Sequence, residues 1–305
     1  MILSSQKSEV IPMLDFRVET FLAVCQTMNY TKAAELLHIT QPAVSQHIHA
    51  LEHQCGAKLF RYEGKQLSLT EAGRLFFQSA VTMRHDAVHL YDSIRRLKSS
   101  RRLDFGTTLT VGEYIMPKPL TRLLRKEPEA QIRMQAANTA ELLRLLDAGE
   151  IDFAIVEGFF SKQAYESRIY RRERYLPVCA GNYSFRQPVS VLEDLLGERL
   201  LIREPGSGTR EVLERALEER NLAVGDFMAI TELGSLNAIK ALVLAGLGIS
   251  FFYEPVVQAE LAAGTLREIP LSDCSLTHDF TFLWRKGSVF GPYYEEIFRL
   301  LSPEA

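Results

Sequence analysis

The stretch Tyr30-Thr31-Lys32-Ala33-Ala34-Glu35-Leu36-Leu37-His38-Ile39-Thr40-Gln41-Pro42-Ala43-Val44-Ser45-Gln46-His47-Ile48 decides the fold of the N-terminal third. Thr31 is predicted to cap a short helix, Lys32 to Leu37, with Ala33, Ala34 and Leu37 on its inner side. His38-Ile39 makes a tight turn and Thr40 is the next N-cap. Gln41 and Pro42 fill the first turn of the following helix, where a missing amide hydrogen costs little. That helix runs to about Gln54, with Ala43, Val44, Ile48 and Leu51 as its buried stripe. Upstream, from Asp15, the residues Phe16, Phe21, Leu22, Val24 and Cys25 fall at helical spacing. Two short helices with so brief a turn fit a helix-turn-helix, whose second helix enters the major groove of DNA N-terminus first. Gln41 and Gln46 can bond adenine bidentately, Ser45 several base edges, and Pro42 a thymine methyl. Thr31, Lys32, Thr40, Gln41, Pro42, Ser45, Gln46 and His49 are therefore the candidate DNA-binding residues; a helical hairpin with a polar solvent face is the alternative.

Leu59-Phe60-Arg61 and Gln66-Leu67-Ser68-Leu69 flank Tyr62-Glu63-Gly64-Lys65 as a β-hairpin, which makes the motif winged. Arg61 and Lys65 would sit near phosphates, positioning the head without reading sequence. Thr70 then caps a helix continuing to about Lys98, roughly 42 Å long at 1.5 Å per residue. On it Phe76, Ala80, Met83, Ala87, Leu90, Ile94 and Leu97 recur at a/d spacing. This seam predicts pairing of two chains, with packing on the chain's own body as the alternative, and a two-fold dimer suits a palindromic site.

The 305 residues are 47% hydrophobic and 24% charged, ordinary globular usage that suggests two or three domains. No apolar run approaches the roughly 20 residues of a membrane span, and the start of the chain has no secretory pattern. The four cysteines are scattered, with no paired spacing for zinc or a disulfide framework. A cytoplasmic protein without membrane contact, cofactor or metal is expected. The net charge of −3 hides a split: residues 1–105 carry 13 basic and 10 acidic side chains, the remainder 22 and 28. A slightly basic head on an acidic body suits two jobs.

Beyond Arg102 strands and helices alternate. Strands are expected at Thr107–Val111, Gln131–Ala136, Asp152–Val156, Leu200–Ile202, Phe227–Thr231 and Gly248–Tyr253. Helices are expected at Lys118–Arg125, Thr139–Ala148, Thr209–Arg220 and Ser235–Ala245. Such units predict parallel sheets in two small lobes, with ligands beyond the carboxyl ends of strands and against helix N-termini. That rule selects Glu113, Tyr114, Asn138, Thr139, Glu157, Arg203, Ser207, Gly208, Thr209, Ser235 and Asn237 as effector-binding candidates. In Gly206-Ser207-Gly208-Thr209-Arg210 the glycines free backbone N–H groups, the hydroxyls add donors, and Arg203 and Arg210 supply charge; a plain helix cap is the alternative.

The segments Tyr30–Leu37, Thr40–Ile48, Leu51-Glu52, Gly56–Arg61 and Leu69–Gly73 resemble, over about 60 residues, the DNA-binding region of LysR-type transcriptional regulators. Asn138–Leu142, Gly149–Gly158 and Ala245–Ser250 resemble that family's effector-binding region more diffusely. The resemblance implies an α+α/β chain: an N-terminal winged helix-turn-helix, a long linker helix and a C-terminal two-lobed α/β domain of periplasmic-binding-protein type. The expected divisions are a leader at 1–12, the head at 13–70, the linker at 71–103 and the effector domain at 104–305, its second lobe near 177–270. The implied partners are double-stranded promoter DNA, a small-molecule effector, RNA polymerase and further copies of the chain, as a dimer or tetramer. Two departures stand out. His49 replaces a common Lys or Arg, so one DNA contact is expected to be weak or pH-sensitive. Glu113 follows Leu109-Thr110-Val111-Gly112 where the family has several small hydroxyl residues. This shortens one wall of the expected anion pocket, argues against a simple carboxylate, and leaves a cationic, a zwitterionic or no effector open.

Enzymatic readings lack residues. The body has one histidine, His278, and no Gly-x-Ser-x-Gly or His-Glu-x-x-His sequence. His47, His49 and His53 share a helix without the other ligands of a metal site. A solute-binding protein, or a small-molecule enzyme with a fused DNA-binding domain, remains the alternative.

Overall fold

The computed structural model describes residues 14–64, 66–95 and 101–302. It divides into two compact units, one built on the N-terminal residues with the short stretches 147–149 and 286–291, the other on the remainder.

In the first unit α1 (Phe16–Thr27), α2 (Tyr30–Leu37) and α3 (Gln41–Cys55) precede the antiparallel hairpin β1 (Phe60–Glu63) and β2 (Gln66–Leu69), then the long α4 (Glu71–Arg95). Each start has a local cause. Asp15 caps α1. Asn29, not Thr31, caps α2, accepting from the Lys32 amide at 3.0 Å. Asn29 is the better cap because its backbone is extended, while Thr31 already lies inside the helix. Thr40 caps α3 through the Ala43 amide at 3.3 Å, and Thr70 caps α4 through the Gly73 amide at 2.9 Å. Phe21, Val24, Ala33, Val44, Ile48, Leu51, Leu59, Phe60 and Leu67 form one buried core.

That core corrects the predicted seam. Phe76 packs edge-on against Phe21 at 5.0 Å, and Ala80 is buried in the same cluster. These two serve the head's own interior. Ala87 is also buried, and Leu90 is half-buried, whereas Met83 (57% exposed) and Ile94 (55%) remain open. Leu97, like Lys65 and the expected leader, lies outside the described residues.

The second unit holds β3 (Arg102–Thr107), α5 (Pro117–Lys126), β4 (Gln131–Ala136), α6 (Thr139–Ala148), β5 (Phe153–Val156) and β6 (Tyr165–Ala180). These are followed by β7 (Arg199–Ile202), α7 (Gly208–Glu218), β8 (Ala229–Glu232), α8 (Leu236–Leu244), β9 (Ser250–Tyr253), α9 (Glu254–Ala263), β10 (Leu266–Glu268), β11 (Leu276–Arg285) and α10 (Gly291–Leu301). β3 pairs in parallel with β4 and β5, and β7 with β8. The other pairings of the seven-stranded sheet are antiparallel, so that sheet is mixed, while β7 and β8 form a separate two-stranded parallel sheet. β6 runs 16 residues, pairing with β11 over Tyr165–Tyr175 and then with β9 and β10 as far as Ala180. It therefore crosses from one lobe to the other. The first lobe is centred on stacked Phe105, Phe153 and Phe282, with ring centroids 4.8 and 4.7 Å apart.

The first strand of this unit is displaced from its expected position. β3 ends at Thr107, and Val111–Ile115 forms a π-helical turn. Leu103 and Phe105 are both fully buried, a β pattern that the charged residues around them obscured. β6 and β11 were not expected, since arginines and glutamates interrupt the apolar residues of β6, and His278, Asp279 and two threonines those of β11.

Candidate functional site

The polar N-terminal face of α3 is presented on the head. Thr31, Lys32, Thr40, Gln41, Pro42, Gln46 and His49 are exposed and Ser45 is half-buried. Gln41 Nε2 donates to Ser45 Oγ at 3.0 Å, so the two share one orientation. His47 is turned inward, its Nδ1 2.9 Å from Thr20 Oγ1 and its ring 4.7 Å from Phe16. Arg61 pairs with Glu63 at 2.7 Å on the hairpin.

Glu52, which the residue pattern did not single out, joins hairpin to helix. Its side chain is 7% exposed, and it accepts from the amides of Leu59 at 2.9 Å and Phe60 at 3.5 Å and from Lys58 Nζ at 2.7 Å. Burial pushes its carboxyl up, but the Lys58 bond and the two amides outweigh that and leave it below the ordinary value. Glu52 thus sets the hairpin against α3.

In the second unit the candidates form two groups. The buried group lies where β3, β5 and β7 end. Glu157 follows β5 and is 1% exposed; its Oε1 accepts from Thr209 Oγ1 at 2.6 Å. Thr108 and Thr110 follow β3 and also bear on this carboxyl. Ser207, Gly208 and Thr209 open α7 and are buried. Asn138 accepts from the Glu141 amide at 2.9 Å at the start of α6, with Thr139 buried beside it. The two helix starts meet closely. A Cβ on Gly208 would stand 2.6 Å from Gly158 N and 2.9 Å from Thr139 Oγ1. Glu157 Oε2 and the hydroxyls of Thr108, Thr110 and Thr139 are buried and make no hydrogen bond of ordinary length, although Thr108 and Thr110 lie close enough to the Glu157 carboxyl to favour its charge. Unpaired buried polar atoms of this kind are costly and call for polar partners, which ordered water or a ligand's complementary groups supply.

Burial drives the Glu157 carboxyl above its ordinary range, while Thr209, Thr110, Arg203 and Thr108 pull it back only in part. The expected cations are already engaged. Arg203 makes two bonds to Glu204, at 2.7 and 2.8 Å. Arg210 binds Glu214 and Glu232, each at 2.6 Å. Thr108 and Thr110 supply small hydroxyls at the first wall, because β3 ends at Thr107 rather than running on to Val111.

The second group is more exposed. Tyr114 OH donates to Asn237 Oδ1 at 2.9 Å, and Asn237 Nδ2 donates to Glu113 Oε2 at 3.0 Å. Ser235 caps α8 through the Ala238 amide. Glu113 is thus occupied with Asn237. His278 lies within β11, 5.0 Å from the Phe159 ring.

Comparison with known proteins agrees with this division. Residues 17–74 match the model of the bacterial regulatory helix-turn-helix protein, lysR family, and residues 97–305 that of the LysR substrate binding domain. An HTH-type transcriptional regulator of Methanocaldococcus jannaschii is 30% identical over 260 residues, covering 84% of this chain and 87% of that one. The HTH-type transcriptional regulator CysL of Bacillus subtilis is 27% identical, covering 87% and 89%. Among solved structures, full-length LysG of Corynebacterium glutamicum with bound effector Arg superposes with a TM-score of 0.64 at 17% identity, covering 95% and 98%. No helix among the described residues is long and apolar enough to cross a membrane.

Proposed function

We infer the working of this chain from the family to which it belongs, the LysR-type DNA-binding transcriptional regulators, whose C-terminal domain binds a small-molecule effector. It is a regulator and not an enzyme. Gln41, Pro42, Ser45, Gln46 and His49 read the major groove of a promoter half-site, and Thr31, Lys32, Thr40 and the hairpin cations Arg61 and Lys65 fix its register on phosphates. The second unit holds its effector among Thr139, Glu157, Ser207, Gly208 and Thr209, with Asn138 and Arg203 beside them. Glu113, Tyr114, Ser235 and Asn237 form its outer rim. Effector binding favours one lobe arrangement over another and so alters promoter contacts.

The observation that carries this reading is the set of four buried polar atoms without hydrogen bonds of ordinary length, on Glu157, Thr108, Thr110 and Thr139. They cluster where three strands end and two helices begin, the position at which open α/β sheets take ligands. Two copies pair through the exposed part of α4, Met83 and Ile94, with Leu90 and Leu97 on the same seam. A tetramer, contact with RNA polymerase and residence in the cytoplasm complete the proposal.

The test begins with genome-wide mapping of bound DNA, followed by footprints on the recovered sites at stated salt. Metabolites nominated by the neighbouring genes are then screened by thermal shift. Thr139→Ala and Ser207→Ala are expected to weaken the effector response and leave the footprint intact. Unchanged effector titrations in both variants would remove the effector site from this cluster.

A further inference from the structure

Glu157 is the least expected charge in the second unit. It is 1% exposed, and among the described residues it makes no ion pair. One oxygen accepts from Thr209 Oγ1 at 2.6 Å; the other is buried with no bond of ordinary length, faced by the Thr108 and Thr110 hydroxyls, and the Thr139 hydroxyl is buried without a partner. The charged and titratable groups facing it come from four other strands. Arg203 at the end of β7 is held by Glu204 at 2.7 and 2.8 Å. Tyr175 of β6 donates to Thr209 O at 2.9 Å, Tyr253 of β9 has an unpaired buried hydroxyl, and His278 of β11 lies behind the Glu157 backbone.

The polarity of the site follows from the helices. α6 and α7 direct their N-terminal ends at this cluster, and the positive ends of two dipoles disfavour a cation and favour an anion. The Thr139 hydroxyl can donate to an anion, and those of Thr108 and Thr110 can turn from Glu157 to do so once that carboxyl is protonated. An oxyanion beside an ionised Glu157 would be repelled at short range in a dry site, whereas beside a carboxylic acid it gains a further donor.

We propose that the cluster binds a small oxyanion together with one proton, which passes from solvent to Glu157 Oε2 and is donated in a hydrogen bond to the bound anion. The proposal rests on the effector-site reading above and specifies the ligand's chemistry and its linkage to pH. Burial, which raises the Glu157 carboxyl against the opposing hydroxyls and Arg203, makes that proton easier to take up near neutrality. Because binding takes up a proton, affinity is level at low pH and falls about tenfold per pH unit once free Glu157 ionises.

The test uses full-length protein titrated calorimetrically with sulfate and, separately, formate, from about pH 5.5 to about pH 8.5, where both keep their charge. The two probes separate a tetrahedral from a planar oxyanion. Proton uptake is read by repeating the titration in buffers of different ionisation enthalpy. At least one anion is expected to bind with the tenfold-per-unit decline and uptake of a proton. Glu157→Gln, a neutral isostere, is expected to bind it with a level pH profile and no uptake. Binding independent of pH in the unaltered protein, or a pH slope that persists in Glu157→Gln, overturns the proposal. If neither anion binds but a metabolite stabilises the protein and Thr139→Val abolishes that effect, the oxyanion proposal falls and the effector-site reading stands. If Thr139→Val leaves binding of every ligand unchanged, both fall.

Discussion

Gly208→Ala tests how tightly the first turn of α7 is seated. The added Cβ would lie 2.6 Å from Gly158 N, 2.7 Å from Gly158 Cα and 2.9 Å from Thr139 Oγ1. Ordinary contact begins near 3.4 Å, so relief requires a shift of several tenths of an ångström. Two of the three atoms are backbone and cannot rotate away. Overpacking of this kind costs about 1–3 kcal/mol. For a unit of this size each kcal/mol lowers the melting temperature by about 2–4 °C, so a fall of about 2–12 °C is expected. The preference of Ala over Gly in helix interiors returns little of that, because Gly208 is the first residue of α7. The assay is thermal unfolding followed by near-ultraviolet circular dichroism, with a DNA footprint on the same preparation to show that the head is intact. Effector response should fall as well, since Thr139 and Gly158 must move. An unchanged or raised melting temperature with a full effector response would refute the close seating of α6, α7 and Gly158.

Further outcomes are expected at the head and at α4. Pro42→Ala and Ser45→Ala should reduce discrimination between operator and random DNA; intact selectivity in both would place the reading surface elsewhere. Glu52→Ala should destabilise the head by about 1–3 kcal/mol, because the Leu59 amide is left buried without an acceptor, and denaturant titration measures this. The Glu52 carboxyl sits below its ordinary value when folded, so its contribution is present above the unfolded pKa and is lost as pH falls through the folded one. A stability difference between the unaltered protein and Glu52→Gln that fails to shrink toward low pH would refute this linkage. Asn29→Ala should cost about 1 kcal/mol through loss of the α2 cap, against no measurable change for Thr31→Ala in the same melts. Met83→Glu combined with Ile94→Glu should shift the protein toward monomer in sedimentation experiments; an unchanged mass would move the pairing surface off α4.

The DNA-reading head was legible because its signals are local. Capping residues, turn residues and an apolar stripe lie within a few residues of one another, and each has one physical meaning. Only the cap of α2 was displaced, since Asn29 and Thr31 both carry a suitable oxygen and the backbone conformation chooses between them. The effector region was half legible. Glu157, Thr139 and Thr209 follow from the rule about strand ends, but Thr108, Thr110 and Tyr253 do not. Thr108 and Thr110 sat inside a misplaced strand, and Tyr253 comes to the site through pairing of β9 with β6.

By itself the sequence determined the helix-turn-helix, the hairpin, the long helix and the alternation of strands and helices, because each depends on neighbours close along the chain. Tertiary structure decided which charges are free and which are already paired. By sequence Arg203 and Arg210 are candidate anion ligands, but Glu204, Glu214 and Glu232 hold them. It also turned Phe76 and Ala80 from a pairing seam into the head's own core. A side chain's charge and hydrogen-bonding capacity are properties of the residue. What remains of them after folding is set by partners brought close in space, which periodicity along one helix or strand does not encode.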